Sequence, residues 1–152
     1  MQEGGTKGRR MLFVYGTLMD PGIRKAVMGR TGGAPVRRAR LTGYRRRFVA
    51  GAEYPAIAPE VGAIVDGLLL APQPAATLER LDAHEGDEYV RRPVAVTAGG
   101  RIFLADAYVA GPKAKLGRGP WRLGPRWARR RAAYLKRQFP PSARYPSSGS
   151  AR

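Results

Sequence analysis

The chain has 152 residues, 43% of them hydrophobic, which is enough to bury a core in a single domain. It has no cysteine and one histidine, His84, which excludes disulfides, thiol chemistry and metal sites made of several histidines. The formal net charge is +17, from 28 basic and 11 acidic residues. No apolar run reaches the ~20 residues that span a bilayer. The N-terminus lacks the apolar core of a signal peptide, so we expect a soluble, cytoplasmic protein without membrane contact.

The N-terminal half of the chain predicts strands around one short helix. Residues 11–15 form a bulky, β-rich run that stops at a glycine, as a buried strand does. Pro21 suits the first turn of a helix. Residues 39–49 read as a strand with an arginine-rich outer side. Residues 53–57 read as a short extended piece, and residues 63–70 as a further buried strand.

A second helix and a hairpin follow. Pro74 can open a helix that Gly86 ends, with apolar residues facing inward. Residues 89–97 and 101–109 alternate as two strands. The glycine-rich stretch 98–100 between them predicts a tight turn.

The C-terminal part predicts a closing helix over residues 125–138, with its aromatic side chains on one face. We expect flexible ends over residues 1–10 and 140–152, and one domain over residues 11–139. Many strands with few helices predict an α+β fold around a small, largely antiparallel sheet or barrel.

Acidic residues are rare, and five of the 11 lie within ten positions. Glu85 stands out among them, because Gly86 forces a sharp turn directly after it. A carboxylate held there at the lip of a sheet would be partly desolvated, which raises its pKa toward the range that a general acid/base needs. A solvated helix end is the competing interpretation of the same cluster. Its members are Glu79, Asp82, Glu85, Asp87 and Glu88.

Several short motifs, taken in order, resemble the gamma-glutamylcyclotransferase-like superfamily, and most closely its AIG2-like branch, which includes gamma-glutamylamine cyclotransferases. They are YGTL after the first strand, YPAI in mid-chain, G.LL in the next strand and LDAHEGDEYVRRPVAV. The resemblance covers roughly residues 12–109. It implies a small mixed, largely antiparallel β-barrel flanked by a few helices.

The resemblance also implies a site. The loop Tyr15, Gly16, Thr17 and Leu18 would present backbone N–H groups to the carboxylate of a glutamyl substrate, as loops at helix starts bind anions. Glu85 matches the catalytic glutamate of the family. The resemblance also gives candidate residues for the wall of the substrate pocket. These are Tyr54, Pro55, Tyr89 and Tyr108, of which the two last could equally be core residues.

The activity that the resemblance implies is an acyl transfer within one molecule. A gamma-glutamyl amide or peptide would cyclise to 5-oxoproline and release an amine, with Glu85 moving the proton. Such a reaction requires neither a metal nor a cofactor. Three neighbours compete for the role of Glu85 or adjoin it: Asp82, expected to bond to nearby amides or arginines; Glu88, expected in water or paired with an arginine; and His84, expected as a surface or capping group.

The basic residues raise a second hypothesis. They are concentrated in residues 36–47 and after Asp106, where no acid follows. Solvated faces explain most such runs. In the alternative, the same barrel is a non-catalytic module that binds an anionic ligand or nucleic acid, with arginines and aromatic residues side by side. The sequence leaves the oligomeric state open.

Overall fold

A computed structural model describes residues 10–29, 36–50 and 54–117. The predicted closing helix, both predicted flexible ends apart from Arg10, and residues 31–35 lie outside these ranges. Five strands form a closed barrel in the order β1-β3-β2-β4-β5. The strands are β1 Met11–Val14, β2 Val36–Phe48, β3 Pro55–Leu70, β4 Tyr89–Ala98 and β5 Arg101–Ala110. The helices α1, Pro21–Met28, and α2, Ala75–Glu85, flank the barrel, and short 3-10 turns lie at Thr17–Met19 and Gly86–Glu88.

The barrel is mixed but largely antiparallel, as predicted. The pairs β1–β3, β2–β3, β2–β4 and β4–β5 are antiparallel. Strands β1 and β5 run parallel, with Leu12 opposite Asp106. Because β1 lies between β3 and β5, the residues that follow β1 emerge at one end of the barrel.

The prediction of two separate pieces at residues 53–57 and 63–70 is wrong, because β3 is one strand of 16 residues. Pro59 and Gly62 lie between the two predicted pieces. They are accommodated in an irregularity where the pairing moves from Tyr44 opposite Pro59 to Thr42 opposite Ile64. Proline and glycine are tolerated in strands at such bulges. Strand β2 also begins earlier than predicted, at Val36. The prediction missed this start because the exposed residues there show no apolar alternation.

Alternate residues of the strands face two different cores. Phe13 of β1 belongs to the barrel interior, with residues of all five strands. Leu12 and Val14 point outward and pack with Ile23 of α1 and Leu81 of α2. The period of two along a strand produces this division. The helices are therefore held against the outside of β1, and both are placed at the end of the barrel where β1 stops.

Two glycine positions define local turns. Gly99 and Gly100 have φ of 59° and 77° and form the tight turn between β4 and β5, as predicted. Such a hairpin turn needs residues that tolerate positive φ. Among the described residues, no helix combines the length and the apolar character needed to cross a membrane.

Candidate active site

The loop after β1 is shaped by local capping. After Gly16, one 3-10 turn leads to Asp20, whose side chain accepts hydrogen bonds from the N–H groups of Gly22 at 2.8 Å and Ile23 at 3.2 Å. This is the N-cap arrangement that starts a helix with proline at its first position. The N–H groups of a first helical turn have no acceptor within the helix. Thr17 and Leu18 begin the preceding 3-10 turn, whose hydrogen bonds run from Met19 N to Gly16 O and from Asp20 N to Thr17 O, so this turn gives their own N–H groups no acceptor.

Gly16 is required by the closeness of Pro55. A Cβ atom on Gly16 would lie 2.8 Å from both Cγ and Cδ of the Pro55 ring. No real Cβ tolerates that distance, so the β1 loop and the start of β3 meet only over a glycine. The glycine that the sequence suggested for ligand approach therefore also brings two walls of one cavity together.

Arg24 braces this loop. Its side chain is buried in α1, and Nη1 donates to the carbonyl oxygens of Leu18 and Met19, both at 3.0 Å. Burial lowers the pKa of Arg24, while the nearby carboxylate of Asp20 acts to raise it. The guanidinium satisfies two loop carbonyls, so it holds the loop and adds positive charge beside it.

A cavity opens between this loop, the start of β3 and the end of α2. Its cavity volume is about 60 Å³. All nine candidate site residues line it, and three further residues do so as well. The candidates are Tyr15, Gly16, Thr17, Leu18, Tyr54, Pro55, Glu85, Tyr89 and Tyr108, and the others are Phe13, Val14 and His84.

Tyrosines form much of the wall, and their hydroxyl groups donate to protein acceptors. Tyr89 Oη donates to the Pro55 carbonyl at 2.5 Å, and Tyr15 Oη donates to the Tyr108 carbonyl. Burial raises the pKa of Tyr15, Tyr89 and Tyr108, so all three stay neutral around pH 7. Each ring is thereby fixed by both packing and a hydrogen bond, which gives the cavity rigid sides.

Glu85 is the last residue of α2, and Gly86 follows it with φ of 71°. The left-handed conformation of this glycine ends the helix and leaves the preceding side chain at the cavity. Burial, and then the carboxylates of Asp82 and Glu88, raise the pKa of Glu85 from its ordinary value of 4.5 to about 8. A carboxyl group with this pKa exchanges its proton near neutral pH.

The neighbouring carboxylates are engaged elsewhere. Asp82 accepts hydrogen bonds from Arg91 at 2.9 and 3.2 Å, as the sequence suggested, and one from Tyr108 Oη at 2.5 Å. Although burial acts to raise it, these hydrogen bonds hold the pKa of Asp82 below its ordinary value. Glu88 was expected in water or paired with an arginine, and instead accepts a hydrogen bond from Tyr54 Oη at 2.8 Å.

His84 does not lie on the open surface, since it is half-buried and lines the cavity beside Glu85. Burial lowers the pKa of His84, which favours the neutral imidazole at pH 7. Arg24 is the residue that sequence reasoning missed. It was missed because a basic residue in a short helix usually points into water. The one signal available in the sequence was its position four residues after Asp20. Within the described residues, no cluster of three or more His, Asp or Glu side chains could hold a metal ion.

Known structures show the same fold. A solution structure of an Arabidopsis thaliana protein superposes with a TM-score of 0.63 at 29% identity, covering 86% of this chain and 87% of that one. A structure described as a gamma-glutamyl cyclotransferase superposes with the same TM-score at 17% identity, covering 93% and 94%. The second likeness is one of fold alone. The barrel with its flanking helices thus has the fold of both structures.

The sequence comparison defines the family. The family described as gamma-glutamyl cyclotransferase, AIG2-like, matches residues 12–128, and this chain belongs to it. AIG2-like protein A of Arabidopsis thaliana is 36% identical over 85 residues, which are 56% of this chain and 50% of that protein. Protein AIG2 A of the same plant is 35% identical over 86 residues. The chain thus spans about half the length of the curated relatives that it matches.

Proposed function

We propose that this protein is a gamma-glutamylcyclotransferase-type enzyme, which converts a gamma-glutamyl amide or peptide to 5-oxoproline and a free amine. One observation carries the proposal. Glu85, whose pKa lies near 8, shares a cavity with the Gly16–Leu18 loop, whose first-turn N–H groups have no acceptor within the helix. A proton acceptor and a loop suited to bind an anion can thus act on the same small substrate.

The substrate would bind with its charged end at the loop. Backbone N–H groups of Thr17 and Leu18 suit the α-carboxylate, and the positive charge of Arg24 beside the loop supports an anion there. The α-ammonium group then faces Glu85. The tyrosine walls hold the hydrocarbon part and exclude water, so the γ-carbonyl carbon is kept near its own amine.

The reaction proceeds by proton transfer through Glu85. Its carboxylate takes a proton from the α-ammonium, and the freed amine nitrogen attacks the γ-carbonyl carbon. A new C–N bond closes the five-membered ring, and the oxygen carries the negative charge of a tetrahedral intermediate. When the carbonyl re-forms, the old amide C–N bond breaks, and the leaving nitrogen receives the proton from Glu85. The ring nitrogen, positively charged since the attack, then loses its second proton through Glu85 to the released amine, which leaves as an ammonium ion and restores the carboxylate. Tethering of the nucleophile supplies much of the rate enhancement, and N–H donors can stabilise the oxyanion.

The position of Glu85 favours catalysis over a binding module. A module for an anionic ligand would gain nothing from a carboxyl group that repels the ligand when ionised. A filled cavity, or a Glu85 side chain that faced solvent, would have supported the binding module. The aromatic residue Trp127, on which the nucleic-acid hypothesis partly depends, lies outside the described residues.

The test is product formation from defined substrates. The 152-residue chain is incubated with gamma-glutamyl amides, gamma-glutamyl dipeptides and glutathione, and 5-oxoproline is measured. Glu85→Gln is expected to abolish the product, whereas Glu79→Gln is expected to retain it, because Glu79 is an exposed residue on the same helix. Equal activity of wild type and Glu85→Gln would assign the proton transfer to another residue. No product from any substrate would favour the binding module.

A further inference from the structure

An ion pair joins the helix that carries Glu85 to the barrel. Arg91 of β4 approaches Asp82 of α2 with two nitrogens, Nε to Oδ1 at 2.9 Å and Nη2 to Oδ2 at 3.2 Å. The third nitrogen, Nη1, donates to Asp106 of β5 at 3.2 Å. Two-point pairing of a guanidinium with a carboxylate fixes direction as well as distance. This contact therefore determines how the last turn of α2 is oriented against β4 and β5.

The cavity wall takes part in the same contact. Tyr108 of β5 lines the cavity and donates its hydroxyl to Asp82 Oδ1 at 2.5 Å. Burial, and then the hydrogen bond to Asp82, raise the pKa of Tyr108 and keep the phenol protonated. Asp82 therefore receives three donors and stays ionised, which makes it a weak base. It acts as a fixed negative charge rather than as a proton carrier.

The spacing places this charge beside Glu85. Asp82 lies three residues before Glu85 in α2, and side chains at that spacing are neighbours on one face of a helix, ~5–6 Å apart at Cβ. Because like charges disfavour ionisation, Asp82 is a physical cause of proton retention by Glu85. Other titratable or charged groups also face Glu85 or its immediate surroundings. They are His84, Glu88, Tyr15, Tyr54, Tyr89, Tyr108 and, through Asp82, Arg91.

We propose that the Asp82–Arg91 ion pair is a positioning device for Glu85, which aims the last turn of α2 at the cavity and supplies the negative charge that controls the Glu85 proton. The catalytic consequence rests on the proposed function. The effect of the Asp82 charge on the Glu85 proton does not depend on that function, because it is a property of the folded protein. Asp82 and Arg91 act on the substrate only through Glu85.

The decisive experiment is to titrate Glu85 directly. The side-chain carboxyl 13C shift of Glu85 is followed by NMR against pH in the 152-residue chain, with Glu85→Gln used to assign the signal. Asp82→Asn keeps the shape of the side chain but removes its charge, so the pKa of Glu85 is expected to fall by about one unit, a tenfold loss of proton affinity. Arg91→Met leaves Asp82 uncompensated, so the pKa of Glu85 is expected to rise.

Asp87→Asn is the matched control. It also removes one negative charge two residues from Glu85, but the Asp87 side chain is 83% exposed, and its nearest charge partner is Lys113 at 3.5 Å. Water and salt screen such a charge. The pKa of Glu85 is therefore expected to stay within about 0.3 units of wild type in this variant.

The proposal is supported if the pKa of Glu85 shifts in opposite directions in Asp82→Asn and Arg91→Met and does not shift in the control. Loss of structure alone would not move this pKa in opposite directions in the two variants. Shifts of the same sign, or no shift in Asp82→Asn, would overturn it. In the active protein, the acidic limb of kcat/KM against pH is expected to move with the NMR value in each variant. Opposite NMR shifts in a protein that forms no 5-oxoproline would retain the ion-pair role and refute the enzymatic function.

Discussion

Replacing Glu85 by glutamine is expected to stabilise the protein at high pH while it removes activity. In the folded chain the pKa of Glu85 is about 8, against 4.5 in its ordinary state. The native protein therefore binds this proton more tightly than the unfolded chain does. A rise of about 3.5 units corresponds to an upper limit of about 5 kcal/mol of differential stability.

The sign follows from proton linkage. Between pH 4.5 and about 8, the folded state holds a proton on Glu85 that the unfolded state has already released. Stability contributed by the neutral form is complete below pH 4.5 and is lost as the pH rises through this window. Glutamine stays neutral at every pH. The variant is thus expected to match wild type near pH 5 and to exceed its free energy of unfolding by several kcal/mol, up to about 5, at pH 9.

Urea unfolding at pH 5, 7 and 9 measures this difference. Glu79→Gln is the reference, because it makes the same chemical change at an exposed position of the same helix. An advantage of Glu85→Gln that is the same at all three pH values would refute the reasoning, since it would come from packing rather than from the charge. A loss of stability that grows with pH would refute it as well.

Three further outcomes are expected. The value of kcat/KM should rise with pH, reach half of its maximum near pH 8, where half of Glu85 is ionised in the free protein, and level off above it, as a pH–rate profile measures. Gly16→Ala should lower the free energy of unfolding by about 1–3 kcal/mol in urea titrations, because its methyl group meets the ring of Pro55 at 2.8 Å. Arg24→Met should raise KM more than it lowers kcat in steady-state kinetics, because the Leu18 carbonyl loses its hydrogen-bond donor and the loop loses the nearby positive charge. An unchanged KM would contradict that role for Arg24.

Much of the local structure could be predicted from neighbouring residues alone. The first strand, the proline-started first helix, the end of α2 at Gly86 and the Gly99–Gly100 turn depend on propensities and caps that act over a few positions. Glu85 could be singled out for the same reason, because the glycine after it was visible in the sequence. The family motifs then placed it opposite the loop after β1.

The remaining features depend on contacts between distant parts of the chain. Whether Pro59 breaks a strand was decided by its pairing with Tyr44, which gives it a place at a bulge. Arg24 is buried because carbonyls of the preceding loop surround it. The ion pair of Asp82 with Arg91 forms because α2 packs beside β4, and no spacing rule along the chain shows it. Local order follows from short-range sterics and hydrogen bonds, whereas burial and charge environment arise only when the barrel closes and excludes water.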